Sequence, residues 1–171
     1  MARKPASHYT LETIPDQIAV RYRPGHEKTV RERLAAFGRI EEQPLSRILI
    51  LHFKHSVPRA AIDAELEALH QRKLIEFATP VMRASENGTR QVLTDEIVLR
   101  LKSRRAQQRT LETLKDEHGL KIGRRNEFEP NQYVVKVKQA SGTRTLDVAR
   151  LLDERADVEF ASPNFLTELK R

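Results

Sequence analysis

Eight short stretches of this chain alternate apolar with polar residues or carry a short apolar run, and helical spacing recurs between them. Gln17-Ile18-Ala19-Val20-Arg21-Tyr22-Arg23 has period two and predicts a strand. Pro24-Gly25 marks a turn, and Val30, Leu34 and Phe37 then recur at i, i+4, i+7, predicting a helix that Gly38 stops. Arg39–Gln43 reads as a weak strand. Arg47–Lys54 is the strongest strand of this half, with Leu49, Leu51 and Phe53 on one face and Ile48 and Ile50 on the other. Ser56 is a fair N-cap for a second helix, with Pro58 in its first turn and Ile62, Leu66 and Leu69 as its apolar stripe. A strand over Leu74–Ala78 follows.

The same order then returns. Glu96–Lys102 predicts a strand, and Ala106–His118 a helix with Leu111 and Leu114 inward and Gly119 as its stop. Leu120–Phe128 reads as an irregular strand and Gln132–Lys138 as a regular one, with Tyr133, Val135 and Val137 on one face and Lys136 and Lys138 outside. Gly142-Thr143 opens a helix with Val148, Leu151 and Leu152 inward, and Val158–Ala161 is the closing strand. The two closers echo one another: Leu74-Ile75-Glu76-Phe77-Ala78-Thr79-Pro80-Val81-Met82 and Asp157-Val158-Glu159-Phe160-Ala161-Ser162-Pro163-Asn164-Phe165. Proline cannot donate to a strand ladder, so each proline is expected to end its strand.

The order β-α-β-β-α-β, met twice, predicts an α+β protein of two tandem ferredoxin-like units. Each would be an antiparallel sheet with two helices on one face. The expected organisation is a flexible arm over 1–15, a first unit over 16–86, a linker over 87–94 around Asn87-Gly88, a second unit over 95–165 and a tail over 166–171. Such a sheet leaves its other face open. Ile48 and Ile50 make that face apolar in the first unit, so it needs a cover, for which the second unit is one candidate.

Composition narrows the picture. With no cysteine among 171 residues, disulfides, thiolate metal sites and thiol nucleophiles are excluded. The net charge of +7 is interleaved with acids rather than concentrated, as on solvated helix faces. The start, Met1-Ala2-Arg3-Lys4-Pro5, lacks the apolar core of a secretory signal, and no apolar run approaches membrane-spanning length. A cytoplasmic chain without a membrane partner is the simplest expectation; a secreted one is compatible with a leader already removed.

Candidate chemistry is sparse. Of the six histidines, His52 and His55 stand closest, but three residues apart on a strand they point to opposite faces. Glu41-Glu42, Asp63, Glu65 and Glu67 have the spacing of solvated faces rather than of acid–base pairs. No Gly-x-Ser-x-Gly, phosphate loop or His-Glu-x-x-His occurs. The expectation is a chain that is not an enzyme, has no metal and needs no cofactor. RNA-binding modules share the topology, yet the aromatics they place on central strands are missing; Phe53 and Tyr133 fall with the inward residues. Nucleic acid is therefore disfavoured as a partner.

The closing run Val158-Glu159-Phe160-Ala161-Ser162-Pro163-Asn164-Phe165 resembles the last strand of the propeptide of subtilisin-like serine proteases. The resemblance extends over the second unit, Glu96–Phe165, and weakly over the first, where Val81-Met82 replace Asn164-Phe165. It implies a folding template and temporary inhibitor of a protease domain, in cis or in trans. The open face of the sheet would pack on the protease, and Phe165-Leu166-Thr167-Glu168-Leu169-Lys170-Arg171 would lie along its cleft as an added strand. The resemblance also implies a docking role for Glu127 and Glu129, whose carboxylates would cap helix N-termini of the protease. Phe128 between them reads equally as a contact anchor or a core residue. A non-inhibitory adaptor module of a larger assembly is the competing reading.

Overall fold

A computed structural model describes residues 11–43, 46–84, 88–103 and 107–167. Among those residues the protein is α+β, with four helices and a nine-stranded, largely antiparallel sheet. The first half runs β1 (Leu11–Tyr22), α1 (Glu27–Ala35), β2 (Gly38–Gln43), β3 (Ile48–Phe53), α2 (Arg59–Gln71) and β4 (Ile75–Ala84). The second runs β5 (Arg90–Leu101), α3 (Gln107–His118), β6 (Leu120–Arg125), β7 (Gln132–Val137), the two-residue β8 (Ala140–Ser141), α4 (Arg144–Asp153) and β9 (Val158–Thr167). The strand path is β2-β3-β1-β4-β5-β7-β6, with β9 also beside β5 and β8 parallel to β4.

The two halves share a pairing register. In the first half Ile18, Ala19, Val20 and Arg21 stand opposite Pro80, Thr79, Ala78 and Phe77, and a shift then brings Tyr22 opposite Ile75. In the second Ile97, Val98, Leu99 and Arg100 stand opposite Pro163, Ser162, Ala161 and Phe160, and the same shift brings Leu101 opposite Val158. On the other side of β1, Ala19 and Arg21 face Ile50 and Ile48; on the other side of β5, Val98 and Arg100 face Val134 and Gln132.

Three expected boundaries move. Neither proline ends its strand: β4 runs through Pro80 to Ala84 and β9 through Pro163 to Thr167. Both prolines sit beside a register break, Thr13/Ile18 in β1 and Leu93/Ile97 in β5. A bulge is a place where a missing N–H leaves no ladder partner unmet. Beyond these breaks the strands resume. Leu11, Glu12 and Thr13, expected in the arm, pair with Ala84, Arg83 and Met82. Arg90–Leu93 were expected in the linker, but Arg90, Gln91 and Val92 pair with β4, and Gln91, Val92 and Leu93 with Phe165–Thr167. Leu166 and Thr167, expected in the tail, are thus strand residues.

Helix details shift for local reasons. α1 ends at Ala35, and Gly38 is the first residue of β2 rather than a helix stop. The N-cap of α2 is Pro58, not Ser56, and no side chain caps the helix. Gly119 does follow α3, at φ +62°, a left-handed conformation that glycine takes without Cβ strain. Leu151, expected inward on α4, is 47% exposed; Val148, Ala149 and Leu152 carry the buried stripe.

Two apolar cores result. One lies within the first half, with Val30 and Leu34 of α1 and Ile62, Leu66 and Leu69 of α2 packed on Ile18, Val20, Leu49 and Leu51. The other joins the halves: Ala19, Ile48, Ile50 and Phe77 belong to the same cluster as Ile97, Leu99, Leu114 and Leu152. The face expected to need a cover has one in the second half, with Leu166 and Val92 beside Ile48 and Ile50.

A polar clasp spans the same junction. Arg90 on β5 donates to both Glu41 carboxylate oxygens on β2 and to Gln17 Oε1 on β1, while His52 Nε2 lies 2.8 Å from Glu41 Oε2. The hydrogen bonds from Arg90, helped by His52 and opposed by burial, hold the Glu41 carboxyl at about 2. A depressed carboxyl stabilises the fold above its unfolded pKa, and that contribution is lost as pH falls towards the folded value. With screening at a partly exposed site, the wild type is expected to lose about 1–2 kcal/mol more than Glu41→Gln between pH 5 and pH 2.5. Urea midpoints at those pH values check it; parallel losses in the two proteins refute it.

Candidate docking face

Alternation along β5, β7 and β9 separates two sets of side chains. Ile97, Leu99, Leu101, Tyr133, Val135, Val137 and Val158 are buried, and share their cluster with α3 and α4 residues. Register partners place Glu96, Val98, Arg100, Gln132, Val134, Lys136, Phe160 and Ser162 together on the opposite face. Here Val98, Val134 and Phe160 are only half-buried. Their counterparts in the first half, Ala19, Ile50 and Phe77, are 0%, 2% and 0% exposed. At these matched register positions the face is covered in the first half and open in the second.

The apolar centre of the open face is framed by paired charges. Lys136 Nζ is 3.4 Å from Glu96 Oε1, and Asn164 Nδ2 donates to Glu96 Oε2 at 3.0 Å. Arg100 pairs with Glu129 and lies 3.5 Å from Glu159 Oε2. At the first-half position matching Arg100, the Arg21 guanidinium instead lies over the Phe77 ring, 4.9 Å from its centroid.

The expected docking residues sit in the β6–β7 connection. Phe128 is 91% exposed, which settles its two readings against a core role. Its loop is held by local hydrogen bonds. Asn126 Oδ1 accepts from the Phe128 N–H at 3.0 Å, and the Pro130 carbonyl accepts from Arg125 Nε at 2.6 Å. The Glu129 carbonyl accepts from the Gln132 N–H at 2.8 Å. Glu127 is exposed with no ion pair among the described residues, whereas Glu129 is engaged by Arg100. Of the two acids expected to cap a partner's helix, only Glu127 is unengaged.

The other expected residues separate by face. Within the closing run, Val158 is core, Glu159 and Phe160 belong to the open side, and Ala161 packs on the core. The Ala161 N–H donates to Asp153 Oδ1 at 2.9 Å. Pro163 lies opposite Ile97, and the Asn164 carbonyl accepts from Thr94 Oγ1 at 2.9 Å. Phe165, Leu166 and Thr167 are the last rungs of β9 against Leu93, Val92 and Gln91, so they are not a free insert. Glu168, Leu169, Lys170 and Arg171 lie outside the described residues. Val98, Val134 and Arg100 were not singled out by sequence reasoning. Their signal was present, since they alternate with the buried Ile97, Leu99, Tyr133 and Val135.

No family model matches the chain, and no curated protein matches it. Among solved structures, the small subunit of acetolactate synthase from Thermotoga maritima is similar over 91% of this chain and 96% of its own. It is 13% identical, with a TM-score of 0.29, too distant a likeness to carry an argument about fold or function. Among the described residues no helix is long and apolar enough to cross a membrane.

Proposed function

We propose that the chain is a tandem of two βαββαβ units whose second unit docks its open sheet face on a protein surface. The mode is that of a propeptide of subtilisin-like serine proteases: inhibitor and folding template, not enzyme. One observation carries this reading, the face whose counterpart is buried in the first half and open in the second. Burying Val98, Val134 and Phe160 removes apolar surface from water, and the paired frame of Glu96, Lys136 and Arg100 keeps its charges partnered while it does so. Phe128 extends the patch as an aromatic anchor, a residue type that concentrates binding energy at protein interfaces. The covered face of the first unit makes that unit a support for the second rather than a second docking face.

Because Phe165–Thr167 are committed to the sheet, the segment that reaches a protease cleft begins at Glu168. The test is inhibition of subtilisin-like proteases by the purified chain, by a Phe128→Ala/Phe160→Ser variant and by a chain ending at Thr167. The wild type is expected to inhibit, and the double variant to inhibit at least about tenfold more weakly, a loss of about 1.4 kcal/mol. The shortened chain is expected to bind without blocking the cleft. A folded wild type that is degraded by several such proteases without inhibiting any of them overturns the protease reading and leaves the adaptor reading, in which the same face meets a non-protease partner.

A further inference from the structure

The two halves meet around a cavity of about 630 Å³, well away in kind from the apolar face described above. Its walls are basic. Lys73 contributes from the first half and Lys121, Lys138 and Arg144 from the second, and none of the four has an ion-pair partner among the described residues. Arg23 and Lys136 line it as well, Lys136 being paired with Glu96; the carboxylates of the lining are Asp95 and Glu76, and Glu76 Oε1 already accepts from Arg47 at 3.0 Å.

The inner lining is the opposite in character. Asp95 is 6% exposed and His70 8%, and three buried atoms there have no hydrogen-bond partner: Asp95 Oδ1, His70 Nε2 and Glu76 Oε2. Burial lowers the tendency of His70 to take a proton. The cavity thus places unmet acceptors at its base beneath unpaired cations at its rim. Buried polar atoms without partners cost stability, and their concentration in one cleft marks a place where the fold retains them against that cost. The volume lies within the range of small-molecule sites.

We propose that this cleft binds a small phosphate ester of a hydroxyl-bearing molecule, its phosphate among Lys73, Lys121, Lys138 and Arg144 and its hydroxyls donating towards Asp95, His70 and Glu76. A phosphate dianion suits clustered cations, and a polyhydroxylated skeleton supplies donors without bringing further charge to the base. Sugar phosphates and mononucleotides share this chemistry. Titration calorimetry of the full chain with ribose 5-phosphate, AMP, ribose and inorganic phosphate tests it.

Ribose 5-phosphate or AMP is expected to bind at least about tenfold more tightly than inorganic phosphate, with a dissociation constant below about 1 mM. Which of the two is tighter tells sugar phosphate from nucleotide. Lys138→Ala and Arg144→Ala, both surface changes, are expected to weaken binding at least threefold each while leaving the melting temperature of the free protein in place. Asp95→Asn is expected to weaken binding and to raise that melting temperature, because it removes a buried carboxylate with an unpaired oxygen. Equal binding of inorganic phosphate, or no binding of any of the four at about 10 mM, overturns the proposal. An Asp95→Asn protein that melts lower and binds as before makes Asp95 a structural residue and overturns its part.

Discussion

Phe77→Ala is expected to lower the free energy of unfolding by about 3–5 kcal/mol, and Phe160→Ala, at the matching register position of the second half, by less than about 1 kcal/mol. The two residues occupy the same rung, opposite Arg21 and Arg100 respectively. Their surroundings differ. Phe77 is 0% exposed, belongs to the core that joins the halves, and carries the Arg21 guanidinium on its ring. Its removal leaves a cavity between two halves that cannot both relax into it, and leaves Arg21 without its aromatic face. Phe160 has solvent on one side, so truncation gives up little that the free protein has already buried. Urea unfolding with slopes compared between variants measures both. Equal losses would show the second face to be covered as well, and would remove the basis for a docking surface there.

Gly38→Ala is expected to cost about 2–3 kcal/mol, at the upper end of what overpacking usually does. A Cβ at residue 38 would stand 2.0 Å from the His52 carbonyl oxygen and 2.8 Å from Phe53 Cα, both backbone atoms that no rotamer change can move aside. Relief requires the first rung of β2 against β3 to open. That also strains the Lys54 N–H bond to the Phe37 carbonyl at 3.2 Å. Gly25→Ala is the control: its φ of +84° is unfavourable for alanine, but nothing lies within 4 Å, so its cost is the backbone term of about 1 kcal/mol alone. Thermal melts of the two variants separate close approach from conformation. If Gly38→Ala melts no lower than Gly25→Ala, the close approach is not a constraint.

Much of the architecture was legible because its signals are local. The order of helices and strands follows from period-two and period-3.6 spacing, and the inward residues Leu49, Leu51, Tyr133, Val135, Leu114 and Leu152 are buried where that spacing put them. What escaped was set by partners distant in sequence. Pro80 and Pro163 read as strand stops, because nothing nearby reveals the register breaks that let β4 and β9 continue. Arg90–Leu93 read as linker because Thr94 and Asp95 interrupt the apolar pattern, although both are buried. Gly38 read as a helix stop because a glycine after an apolar stripe usually is one, whereas its role is contact with the backbone of β3. At the candidate face, Phe128 could not be assigned by pattern, since an aromatic between two acids suits an anchor and a core residue equally; its exposure excludes the core reading. The basic cleft was invisible for the same reason as the register breaks: Lys73 and Arg144 become neighbours only when the halves meet.

The parallel rungs of β4 with β8, Phe77 opposite Ala140 and Ala78 opposite Ser141, fix an order of events during synthesis. When the ribosome has released residues through Ala84, every element of the first half exists, but Ala140, the residue that pairs with Phe77, is more than fifty residues from being made. At roughly 5–20 residues per second the nascent chain spends some seconds with Ile48, Ile50 and Phe77 bare. That interval is a window for capture by chaperones or by another nascent copy, and over Ile48 and Ile50 it closes only when Leu166 emerges. Slowing translation between codons 85 and 140 lengthens the window without changing a single residue of the finished protein.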